Sequence, residues 1–151
     1  MNEQDVKSIA LFFFFSSLDE KKSVELTRKS IKKINKLLAQ DVTLKKEVTM
    51  IAVTYAIWTQ ATKSSKHVFG AVPPSESAWK FPKGITLTAW KQFLKEELPQ
   101  NIFVVIWTRI LGFSEVAVSA GLSISQGTLQ TRSAHALRRL GEYSAVEIAH
   151  A

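Results

Sequence analysis

A chain of 151 residues is long enough to bury a core without covalent help, and 46% hydrophobic with 22% charged residues is a globular balance. The absence of cysteine excludes a disulfide framework and thiolate metal sites, and fits a reducing cytoplasm. The net charge of +7 admits a nucleic-acid or acidic partner, but residues 1–66 hold 12 basic and 7 acidic side chains (+5), leaving +2 for residues 67–151.

The chain opens with a predicted helix around residues 4–15. Its run Ile9-Ala10-Leu11 with Phe12 to Phe15 is seven residues long, far too short to span a bilayer. Glu3 and Asp5 precede it and no small-x-small cleavage pattern follows, so it does not read as a signal peptide. These phenylalanines are expected core residues. Ser17 with Glu20 then has the form of a capping box. In the next helix Val24, Thr27, Ile31, Ile34 and Leu38 make a stripe, with Arg28, Lys29, Lys32, Lys33 and Lys36 on the other faces. Asp41 is placed to cap a third helix, in which Leu44, Val48, Ile51, Tyr55 and Trp58 step by three and four. Strand competes there on Val, Ile and Thr content. The heptad-like stripe and the lack of turn signals favour helix.

Residues 64–86 contain Gly70, Gly84, Pro73, Pro74, Pro82 and four serines, and read as a linker between two helical halves that Trp79 and Phe81 pin onto one of them. Past it, Gly112 to Leu140 predicts two helices around a tight turn. Val118, Leu122 and Ile124 form an apolar seam, Ser119 and Ser123 are small enough for the helices to approach, and Ser125 is a good N-cap. Leu129, Ser133, Ala136 and Leu140 share one side of the second helix. The opposite side carries Gln126, Thr128, Gln130, Thr131, Arg132, His135, Arg138 and Arg139 with no acid among them, which suits a groove lined by phosphates. A solvated helix on an ordinary α-helical domain would have the same periodicity.

The run Ile124 to Arg132, followed by Ala136 and Arg138-Arg139-Leu140, resembles the C-terminal module (region 4) of bacterial sigma factors. Gly112-Phe113-Ser114 is similar to the Gly-Leu-Ser that opens the first helix of that pair, and Leu98-Pro99 to the Leu-Pro before the preceding helix. The departures are Ser119 and Ser123 in place of Ala and Gly, and Ile102 where an Arg is common. Further upstream, Ser23 to Ile31 resembles region 2 of the family, with Glu25, Leu26 and Thr27 matching. The Gln-Glu pair that helps dock the family on RNA polymerase is Arg28-Lys29 here, which inverts the charge. No aromatic-and-basic promoter-melting segment follows; Trp58 leads into Thr-Gln-Ala-Thr.

Enzymatic chemistry finds no support: there is no phosphate loop, nucleophile elbow or His/Cys metal spacing. His67 and His150 are expected to be exposed, and His135 to touch phosphate or water rather than a metal. Glu96-Glu97 reads as a solvated acidic pair. The expected fold is all-α: two small helical bundles, residues 1–63 (degenerate region 2-like) and 87–151 (region 4-like helix-turn-helix), joined by the linker 64–86.

The resemblance implies a cytoplasmic DNA-binding transcription regulator, with no cofactor, metal or membrane association. Gln126 and Gln130 are candidates for base edges, Arg132, His135, Arg138 and Arg139 for phosphates, and Thr128 and Thr131 for either. Glu25, Arg28 and Lys29 are the partner-facing candidates, toward core RNA polymerase or a regulatory protein. The rival reading is a sigma-like protein-interaction adaptor that binds neither polymerase nor promoter DNA.

Overall fold

The computed structural model describes residues 1–63 and 85–149, with side chains through Ala145. In order these form α1 (Glu3–Ser17), α2 (Glu20–Gln40), α3 (Lys46–Lys63), α4 (Leu87–Glu96), α5 (Pro99–Val105), a π-helical turn (Ile106–Ile110), α6 (Glu115–Leu122) and α7 (Gln126–Ala149). The fold is all-α, and no strand occurs among the described residues. The linker expected at 64–86 falls outside them up to residue 84, as do Trp79, Phe81, His67 and His150. At its end the Thr86 hydroxyl caps α4, accepting from the Ala89 N–H at 3.2 Å.

The Phe run dictates the packing. Consecutive helical residues point about 100° apart, so Phe12 to Phe15 need cover on every side of α1. All four are buried. Phe12 stacks on Trp107 (5.3 Å, 19° between planes) and meets Phe103 and Trp58 edge-on at 4.8 and 5.8 Å and 67° and 80°. The Trp90 indole N–H donates to the Phe15 carbonyl at 2.7 Å, and the two rings meet edge-on. One apolar core therefore runs through both helical groups on either side of residues 64–84.

An Asn2–Asp5 capping box starts α1, and the Asp5 carboxylate also reaches Lys46 Nζ at 2.9 Å, tying α1 to the start of α3. Burial pushes the Asp5 carboxyl up, but the Asn2 backbone N–H and Lys46 outweigh it and hold the group below its ordinary range. Leu18 takes a left-handed conformation (φ 53°) and ends α1. This break moves the next cap: Asp19, not Ser17, accepts the Lys22 N–H at 3.0 Å, while the Ser17 hydroxyl donates back to the Phe13 carbonyl.

The buried face of α2 also differs from the expected stripe. Ser23, Leu26, Thr27, Ser30 and Ile34 are buried, and Val24 is 46% exposed. Small hydroxyl residues on this face let α2 approach α1, whose Ser8 and Ser16 are also buried. Ser23 and Thr27 satisfy their hydroxyls on the carbonyl four residues back. Asp41 does not cap α3; its carboxylate closes a turn by accepting from the Thr43 N–H and hydroxyl at 2.9 and 2.6 Å. Residues 46–63 are helical as read, with Ile51 and Trp58 buried and Tyr55 half-buried, but Leu44 lies in the turn and is 39% exposed.

Helix α3 packs on α6, and Gly121 makes the approach possible. A Cβ built at Gly121 would lie 2.5 Å from Ile51 Cγ2 and 3.2 Å from the Val48 carbonyl oxygen. The Gly121→Ala variant should therefore lose stability by about 1–3 kcal/mol through overpacking. Thermal unfolding measures it, with Gly127→Ala, which meets only Ser125 Oγ at 3.9 Å, as the tolerated comparison.

Candidate nucleic-acid and partner interfaces

The C-terminal pair forms a helix-turn-helix. Ser114 caps α6 by accepting the Ala117 N–H at 3.1 Å. Ser123 ends it in a left-handed conformation (φ 56°), tolerated at modest cost by a short polar side chain where glycine would be unstrained. Its role is the turn itself rather than helix approach, since Ser123 is exposed and Ser119 is buried. Ser125 Oγ accepts the Thr128 N–H at 3.1 Å and starts α7.

Val118, Leu129, Ala136 and Leu140 are buried, Ser133 is 5% exposed, and Leu122 and Ile124 are half-buried against the same core. One side of α7 is thereby fixed against α4, α5 and α6.

The other side faces solvent. Gln126, Thr128, Gln130, Thr131, His135 and Arg138 are exposed and Arg132 is half-buried. Gln130 is engaged: its amide donates to Glu115 Oε2 at 3.1 Å. Thr131 donates its hydroxyl to the Gly127 carbonyl at 3.0 Å, and Thr128 accepts from Ser125 Oγ at 2.9 Å.

Arg139 lies apart from this face. Its Nη2 donates to the Tyr143 hydroxyl at 2.8 Å, and its Nε stands 3.5 Å from Glu97 Oε2. The Tyr143 hydroxyl in turn donates to Glu96 Oε2 at 2.9 Å. Hydrogen bonding to Tyr143, then the two acids, raises the Arg139 pKa. Burial, with Glu96, pushes the Tyr143 phenol up against the opposing pull of Arg139.

Glu97 is not the solvated acid its neighbours suggested. Its side chain is 3% exposed, and Oε1 accepts the Leu98 N–H and the Asn101 amide, both at 2.9 Å. This cluster joins the end of α4 and the start of α5, where Pro99 occupies the first turn, to α7. The charge order Glu96-Glu97 and Arg139 was visible in the sequence; the pairing across more than forty residues was not.

On α2, Glu25, Arg28 and Lys29 are all exposed. Glu25 and Lys29 form an i,i+4 pair at 3.2 Å, each side chain more than 60% exposed, so it contributes a few tenths of a kcal/mol at most. Between α6 and the turn before α3, exposed Val116 (61%) and Leu44 rim an open apolar groove with Val48. Among the described residues no group of acids and histidines is placed to hold a metal, and no helix is long and apolar enough to cross a membrane.

This arrangement is similar to that of the sigma factor RpoE from Bartonella quintana, solved in complex with the anti-sigma factor NepR. The likeness covers 94% of this chain and 92% of that chain with a TM-score of 0.70, at 19% sequence identity. No protein-family model matches the chain, and no curated protein matches it. The chain has a sigma-factor-like fold, extending over both helical groups.

The two neighbouring arginines should separate cleanly. Arg139→Gln leaves the buried Glu97 carboxylate without its cation and should cost about 1–3 kcal/mol. Arg138→Gln, on the exposed face, should stay within about 0.5 kcal/mol of the parent. Chemical denaturation of the two variants measures the difference.

Proposed function

We propose that this chain is a sigma-factor-like DNA-binding transcription regulator whose α7 enters a major groove. What carries the reading is the polar face of α7 from Gln126 to Arg138, which carries no acid over that span and is solvent-exposed on a helix whose other side is fixed by Leu129, Ser133, Ala136 and Leu140. Gln126 is free to meet a base edge bidentately, and Gln130 joins it on release from Glu115. Arg132, Arg138 and His135 supply phosphate contacts, with Thr128 and Thr131 for either kind. Arg139 is already committed to Glu97 and Tyr143, so it serves the scaffold.

Two free arginines make a weak binder. Neutralising about two phosphates gives a logarithmic salt slope near −2, and only about a tenfold loss between 50 and 200 mM salt. Useful occupancy then needs a second tethered contact. The test is a salt titration on random duplex, comparing the parent with an Arg132→Ala, Arg138→Ala variant. The slope should become shallower by about 2; identical slopes would refute this role for α7.

A second reading has its own support: the structural neighbour was solved with an anti-sigma factor, and this chain's two helical groups pack together as that fold does. A regulatory protein is then the partner, and the chain is an adaptor. The exposed Arg28-Lys29 pair fits that reading, since it inverts the charge at the family's polymerase-docking position. Purified core polymerase should bind the parent weakly and the Arg28→Gln, Lys29→Glu variant more tightly. Tight binding by the parent removes the adaptor reading.

A further inference from the structure

The densest charge on the molecule lies on α2, away from the helix-turn-helix. Glu20–Gln40 contains seven cations, Lys21, Lys22, Arg28, Lys29, Lys32, Lys33 and Lys36, against Glu20 and Glu25. Its net of +5 equals that of the whole first 66 residues. At about 100° per residue the seven cations fall within an arc of roughly 140° that also holds Glu25, paired with Lys29, while the Ser23, Thr27, Ser30 and Ile34 side is turned away from it and packs on α1 and α3. Lys21, Arg28, Lys32, Lys33 and Lys36 are exposed, and none is in an ion pair among the described residues. We infer that this face of α2 is a second, sequence-independent contact for the phosphate backbone of duplex DNA.

The side-chain chemistry selects phosphate over an acidic protein surface. Six of the seven cations are lysines, which are depleted at protein–protein interfaces but act well as point charges against phosphate. No aromatic side chain occurs on α2, and Val24, at the margin of the face, is its exposed large apolar residue. A protein interface would need buried anchors that this face lacks. From Arg28 to Lys36 the helix rises about 12 Å. That length of duplex axis carries about seven phosphates over both strands, so three within reach of four cations is a modest demand. The choice of duplex DNA rests on the α7 reading above, and α2 would supply the tethered contact that α7 needs.

The experiment uses the full chain and fluorescence anisotropy on a random-sequence duplex across a salt series. In the Arg28→Gln, Lys32→Gln, Lys33→Gln, Lys36→Gln variant the slope should become shallower by about 2.7, removing about 40-fold of the salt-dependent loss between 50 and 200 mM. Gln matches Lys and Arg in helix propensity, so thermal unfolding should be unchanged. Should the fourfold variant unfold, the Lys32→Glu, Lys36→Glu pair replaces it and must weaken duplex binding at low salt.

An unchanged slope overturns the proposal. So does loss of binding to a polyglutamate peptide with duplex binding intact, which would assign the face to an acidic protein. If the slope changes on altering α2 but not Arg132 and Arg138, the α7 reading fails and this one stands; the reverse result sinks this one alone.

Discussion

Four consecutive phenylalanines on one helix cannot share a side, and the rest of the architecture answers that constraint. Covering Phe12 to Phe15 takes the hydroxyl-lined face of α2 together with Trp58, Trp90, Phe103 and Trp107 from α3, α4, α5 and the π-helical turn. Each buried phenylalanine is worth roughly 1.5–3 kcal/mol of transfer free energy, an upper estimate since the unfolded chain is itself partly compact. The two helical groups thereby share one apolar core.

That core also explains how the polar face of α7 is held out to solvent. The π-helical turn at Ile106–Ile110, closed by the Leu111 N–H to the Ile106 carbonyl, keeps Trp107 in the centre while the chain turns toward Phe113. Trp107 and Phe113 meet edge-on at 4.7 Å. Gly112 then takes a positive φ of 73°, the conformation in which a Cβ would be strained, and Ser114 starts α6. From there α7 is fixed twice, by Leu129, Ala136 and Leu140 inside and by the Glu97–Arg139–Tyr143 cluster at the edge. A helix anchored at both ends of its buried side presents its outer residues in one orientation.

Helical periodicity made much of this legible in the sequence. Leu129, Ser133, Ala136 and Leu140 share one side of α7 at three- and four-residue steps, and all are buried, as is Val118 of the helix before; Ser125 caps where a cap was needed. The α2 interface was misread because apolar periodicity cannot anticipate that Ser23, Thr27 and Ser30 go inside while Val24 stays out. The Ser23 and Thr27 hydroxyls bond their own helix and lose little on burial, while Ser30 Oγ is buried without a partner, so small volume there matters more than hydropathy. Asp19 rather than Ser17 caps α2 because Leu18 ended α1 in a left-handed turn, a backbone event with no glycine to announce it, and Asp41 closes a turn with Thr43 instead of capping α3. Arg139 looked like one more basic residue on a basic face, and only the tertiary partner Glu97, with Tyr143 one turn along α7, sets it apart. Gly121 had no visible purpose until α3 lay against it.

The same Phe run has a consequence for synthesis. Phe12 leaves the ribosome about 95 residues before Trp107, which at 5–20 residues per second is roughly 5–20 s. Until then Ile9-Ala10-Leu11-Phe12-Phe13-Phe14-Phe15 is a seven-residue window without charge or proline, the composition that pairs readily into aggregates when left open. Helices α2 and α3 can shelter part of it early, but the sides met by Trp90, Phe103 and Trp107 stay bare. For that interval the nascent chain carries bare apolar surface that the finished fold never shows, the stage at which such chains are prone to aggregate.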